Sequence, residues 1–290
     1  MNVMLDAPVN IQLLYLLCVI SVTLIWTSHV VVIRRINIPS GAISYLVMLC
    51  MAYAYNYIQL NGLFWILVML VAGVMYQRQC YRNIMMSILL VMGFLLASHT
   101  LPGFDNPVLL DNVRLSELST PYSMYLSFDK ISAGIIVFWS VFSVQERSRF
   151  NGAAFISAMP IAVITVMSSL LIASIGMIVF DFTLSPYVFL FAINNLFFTC
   201  MAEEAYFRGL IQKQLATRMH YVYAIVLSAV LFGVAHMGVG RVDYVIAAIV
   251  AGIGYGYVYH RTKSIGASIM THWVLNLVHF VFFTYPFVSN

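Results

Sequence analysis

From residue 36 to residue 77 the chain carries no Asp, Glu, Lys or Arg, and the same holds from 150 to 180, from 182 to 202 and from 264 to 290. Each stretch reaches or exceeds the roughly 20 apolar residues that carry a helix across about 30 Å of hydrocarbon. In that solvent backbone groups have to be paired within the segment, so the chain is restricted to helices. With 62% hydrophobic and 8% charged residues in 290, little is left for a soluble domain. The sequence describes an integral membrane protein of the all-α class, a polytopic membrane helical bundle of about 8–10 transmembrane helices. Candidate spans fall at 10–33, 40–58, 61–77, 83–99, 131–145, 154–180, 186–207, 220–238, 242–259 and 264–287.

The basic residues sit in small groups between these spans, which marks topology and gives no nucleic-acid surface. The first span has no basic residue before it and Arg34 and Arg35 after it, and reads as a retained anchor with its amino terminus outside. Alternate threading puts Arg34, Arg35, Arg78, Arg82, Arg147, Arg149, Arg208, Lys213, Arg218, Arg261 and Lys263 on the cytoplasmic side, and Arg114, Lys130 and Arg241 outside. Both termini are then expected outside the cytoplasm. The stretch near 100–130 becomes a long outer loop, the place for a lid, a docking surface or a solvated connection. Cys18, Cys50, Cys80 and Cys200 show neither a disulfide framework nor zinc-site spacing.

Against this background the run CMAEEAYFRGL, residues 200–210, places two carboxylates and a guanidinium inside an apolar span. Such groups cost on the order of 3 kcal/mol each on insertion scales, so they call for a reason. At about 100° per residue, Glu204 and Arg208 stand one turn apart and can pair, while Glu203 points elsewhere and continues a polar stripe from Asn195 and Thr199. A carboxylate facing a bundle interior without a fixed counter-charge is the kind of group that burial turns into a general base at neutral pH.

The next span offers a partner in LFGVAHMG, where Phe232 and His236 lie one turn apart. A turn near Met219 makes the two spans an antiparallel hairpin, with Glu203 about 16 residues before it and His236 about 16 after, which predicts a common depth. In the last span THWVLNLVHF puts His272 and Asn276 on one face with His279 close by. Ala248, Gly252 and Gly256 form a small-residue seam that lets the polar helices approach. One carboxylate base, two imidazoles and a carboxamide suffice to hydrolyse a peptide bond. The acid and a histidine take a proton from water, and the other histidine and the amide donate to the oxyanion. There is no G-x-S-x-G serine, no H-E-x-x-H and no intramembrane aspartate pair, so the nucleophile is expected to be water.

The motifs E-E-x-x-x-R at Glu203, Glu204 and Arg208, F-x-x-x-H at Phe232 and His236, and H-x-x-x-N at His272 and Asn276, taken in order, resemble the type II CAAX prenyl protease and bacteriocin-processing family. This family, also called ABI or CPBP, comprises intramembrane glutamate-dependent endopeptidases. The resemblance spans roughly residues 185–285 and divides the chain into amino-terminal helices over 1–180 and a catalytic core over 181–290. It implies that Glu203 activates water with His236 beside it, that His272 and Asn276 form the oxyanion pocket, and that Glu204, Arg208 and Phe232 support the site or contact substrate. It further implies no cofactor and a membrane-embedded or membrane-anchored peptide or protein as substrate. A bacterial plasma membrane fits a chain without long soluble loops.

Three other readings use the same residues. Glu203, His236 and His272 could ligate Zn²⁺ in an intramembrane metalloprotease, although metal is not the favoured reading. Intramembrane Glu and His also suit a transporter, which broken helices and repeated halves would favour; neither is visible. A non-catalytic membrane scaffold or immunity protein would need none of this chemistry.

Overall fold

The computed structural model describes residues 7–27, 30–33, 36–147 and 152–289. Arg34, Arg35 and Arg149, used above as topology markers, lie outside the described residues, as do both chain ends. Each of the ten hydrophobic windows holds a helix. Those long and apolar enough to cross a membrane are α1 (Val9–Trp26), α3 (Leu60–Gln77), α7 (Gly152–Ala173), α8 (Val188–Leu215), α10 (Val242–Thr262) and α11 (Ile265–Phe282). Shorter helices are α2 (Ser40–Ala54), α4 (Arg82–Ala97), α5 (Phe128–Val141), α6 (Val144–Arg147) and α9 (Tyr221–Val234). The chain is a polytopic helical membrane protein.

One expectation about the elements is corrected. The first window was expected to be helical to residue 33, but α1 stops at Trp26 and Val30–Ile33 pairs antiparallel with Ile36–Pro39. Three valines and an isoleucine in a row favour an extended backbone over another helical turn. Within the long stretch near 100–130, strands Val108–Val113 and Tyr122–Tyr125 form a two-stranded sheet.

The chain forms two compact units interleaved in sequence. One comprises Met1–Leu109, Met124–Ser148 and Phe197–Tyr206, and the other Leu110–Ser123, Arg149–Leu196 and Phe207–Asn290. In the first, α5 is the central element, buried on nearly every side from Phe128 to Val141, as a helix apolar all round has to be. Close approaches let its neighbours in. A side chain at Gly73 of α3 would run into Ser140 of α5, and a Cβ at Gly134 of α5 would stand 2.5 Å from the Ala202 Cβ and 2.9 Å from its Cα.

In the second unit α10 is the organising helix, packed on α7, α9 and α11. Its glycines serve different neighbours. A Cβ at Gly252 would lie 3.1 Å from Ala229 of α9, whereas one at Gly254 would collide with Thr165 of α7. The small-residue seam read from the sequence therefore does bring helices together, and Gly254, off that seam, does the same on the opposite side. A substitution Gly254→Leu should destabilise this packing by about 1–3 kcal/mol through overpacking. It should be visible as a lowered melting temperature in detergent, while Ile253→Leu on the exposed face should leave that temperature unchanged.

Candidate active site

Helix α8 carries the charged motif, but it is not a regular α-helix. Residues Asn195–Cys200 and Ala205–Gln212 are π-helical, separated by a single α turn, Met201–Glu204. The expected 100° per residue does not hold across a widened turn. π segments of this kind occur often at functional sites because they redirect side chains.

In the first unit, Glu203 is not without a counter-charge, contrary to the sequence expectation. The Lys130 ammonium donates to its Oε1 at 2.7 Å, with the two side chains 21% and 15% exposed. Lys130, taken above as a marker of the outer face, comes from the first turn of α5 and reaches across to the acid. Its neighbour Asp129 is buried and accepts from the Asn106 amide (3.1 Å) and from its own helix at the Lys130 N–H (2.8 Å). His99 Nδ1 stands 2.7 Å from the other Asp129 oxygen. Glu204, the next residue after Glu203, is fully buried.

In the second unit, Arg208 is fully buried and is held by helix α10 and two rings. Its Nη2 donates to the Gly252 carbonyl at 2.9 Å, and its guanidinium carbon lies 4.9 Å from the Phe232 ring centroid and 5.2 Å from that of Tyr255. A cation stacked this way away from water gains about 2 kcal/mol per ring. The same two rings hold the histidines. Tyr255 stacks on His272 at 4.6 Å, while Phe232 meets His272 edge-on at 5.7 Å and His236 at 4.6 Å. Phe232 was expected only as a supporting residue; it touches every polar group of the cluster except the amides.

His236 was placed inside its span by the sequence, yet α9 ends at Val234 and His236 follows as the chain turns into Met237–Val239. Its Nδ1 lies 2.7 Å from the Phe232 carbonyl. A carbonyl only accepts, so Nδ1 carries the proton and Nε2 of the neutral ring presents a lone pair. His272 is buried on α11, and one turn on, Asn276 Nδ2 donates to Asn195 Oδ1 at 3.2 Å. That bond assigns the amide orientation and directs the second N–H away from Asn195. His279 turns to the chain after α11, with Nε2 3.2 Å from the Thr284 carbonyl.

The structure thus gathers Arg208, Phe232, His236, His272 and Asn276 in one unit and places Glu203 and Glu204 in the other. Sequence reasoning missed Tyr255, whose position three residues after the seam glycine Gly252 was a signal, and Lys130, whose place immediately before an apolar window was another. Among the described residues there is no group of three or more His, Cys, Asp or Glu that could hold a metal ion. Arg208→Lys keeps the charge but loses the planar face shared by Phe232 and Tyr255. It is expected to lower the melting temperature in detergent by several degrees, and Arg208→Met is expected to lower it no less.

Residues 185–278, about a third of the chain, match the model of a family described as type II CAAX prenyl endopeptidase Rce1-like. This segment is a membrane protease domain of that family, and Glu203, Glu204, Arg208, Phe232, His236, His272 and Asn276 all fall inside it. No curated protein and no solved structure matches the chain.

Proposed function

We propose that the protein is an intramembrane endopeptidase that hydrolyses a peptide bond of a membrane-associated protein or peptide with a glutamate-activated water. The observation that carries this reading is the coincidence of the protease-family match with the motif residues, which all lie within 185–278. Glu203 takes the proton from water as the oxygen attacks the scissile carbonyl carbon. It returns that proton to the leaving amine as the tetrahedral intermediate collapses. His236, with Nδ1 committed to the Phe232 carbonyl, offers Nε2 as the acceptor that orients the water. His272 and the Asn276 amide donate to the oxyanion; their preset orientation, from Tyr255 stacking and from Asn195, is what makes such donors effective in a site shielded from solvent.

Protein or peptide substrates follow from the family, and their residence in or at the bilayer follows from the enzyme's own. The distribution of Lys and Arg supports an orientation with both termini away from the cytoplasm, and the absence of long soluble loops fits a bacterial plasma membrane. The carboxy-terminal region from 181 carries the chemistry, with the helices before it as a membrane-embedded platform.

The test compares membrane proteomes of cells carrying the protein with those carrying Glu203→Gln, searching for a peptide terminus that the exchange removes. The rate of its appearance should fall by about two to four orders of magnitude. An unchanged set of termini, in normally inserted protein, would favour the scaffold reading. Metal analysis and chelation complete the test, since a stoichiometric zinc whose removal stops turnover would overturn the glutamate mechanism.

A further inference from the structure

We propose that Lys130 is a positioning residue for Glu203: its ammonium keeps the carboxylate ionised and aimed, although it comes from a helix outside the protease-family segment. The proposal rests on the reading of Glu203 as the water-activating base and adds the group that makes this base usable.

A lone carboxylate in a medium of low polarity takes up a proton and can no longer accept one from water. An ammonium at 2.7 Å with both side chains largely covered opposes that neutralisation. The rest of this part of the unit is built to hold the lysine where it is. Asn106 accepts from the Phe128 N–H at 2.8 Å while its own amide donates to Asp129, so the first turn of α5 is fastened at the two residues just before Lys130. One turn further along the same face, Gly134 lacks the side chain that would keep α5 away from Ala202, the residue before Glu203. Lysine and glycine at spacing four therefore bring the helix to the acid and then supply its counter-ion. The nearby ionisable groups with other engagements are Asp129, bonded as above and beside His99, and Tyr206 on the Glu203 helix, whose hydroxyl donates to the Leu90 carbonyl at 2.6 Å. Glu204, adjacent in sequence, is buried and has to be resolved from Glu203 in any measurement.

The experiment reads the charge on Glu203 directly in the full-length protein in membranes at neutral pH. Dicyclohexylcarbodiimide adds to a protonated carboxyl: the acid oxygen bonds to the carbodiimide carbon, the proton moves to its nitrogen, and the acyl group then shifts to nitrogen as a stable adduct. Fragment-ion mass spectrometry distinguishes Glu203 from Glu204. Wild-type protein should be labelled little at Glu203, Lys130→Met at least about tenfold more, and Lys130→Arg within about twofold of wild type. Equal labelling of wild type and Lys130→Met, or Lys130→Arg behaving like Lys130→Met, overturns the proposal. If Lys130→Met folds poorly, the double variant Lys130→Met/Glu203→Gln should regain the wild-type melting temperature, because it removes the stranded charge along with its partner; failure to regain it also overturns the proposal. Formation of the Glu203-dependent peptide terminus should drop in Lys130→Met and return in Lys130→Arg. A labelling shift alongside termini that do not respond to Glu203→Gln would support the pairing and remove the protease reading, so the two can fail separately.

Discussion

A guanidinium with no access to water has to be solvated by protein, and in this chain the groups that solvate Arg208 are the ones that hold the imidazoles. The Gly252 carbonyl accepts a hydrogen bond from it, and the faces of Phe232 and Tyr255 lie against its charge. Those rings then have their other contacts with His272 and His236. A polar side chain that is expensive to bury thereby fixes the walls of the space in which two other polar side chains are oriented. Gly252 is the point on which this depends, since Ala229 and Arg208 both crowd the place where its side chain would be. The charge on α8, the seam on α10 and the histidines at the end of α9 and on α11 are parts of one packing problem.

Much of this was legible in the sequence because hydrocarbon imposes a strict rule. Ten apolar windows became ten helices, and the helix-forming potential of each was decided by length and apolarity alone. Spacing arguments succeeded where the helix was regular: His272 and Asn276 do share a turn of α11, and Gly252 and Gly256 do face a neighbouring helix. On α8 they assumed a regular pitch that its π segments do not have, because hydrogen bonding from one turn to the next can widen without any change in composition that a reader could detect. His236 was assigned to a helix for a related reason, since VAHMG continues the apolar run although the helix has already ended at Val234.

The counter-ion of Glu203 was hidden differently. Lys130 stands 73 residues away in the chain, in a segment whose lysine is explained equally well by membrane topology, and no local pattern links it to an acid on another helix. Only the approach of α5, permitted by Gly134, makes the pairing visible. The pair joins a residue outside 185–278 to an acid inside that segment.

The widened turns of α8 also bear on how such a helix tolerates change in length. A π segment holds one residue more per hydrogen-bonded turn than the α-helix around it, so losing one residue from Ala205–Gln212 could be absorbed by reverting to ordinary coiling, with the helix unbroken. The larger rotation per residue of the ordinary coil would make up most of the rotation the lost residue supplied, so Gln212 would stay near the Gly256 carbonyl to which its amide donates at 2.9 Å. Shortening of this helix is therefore felt by the side chains within the widened turns, and spared to those beyond them.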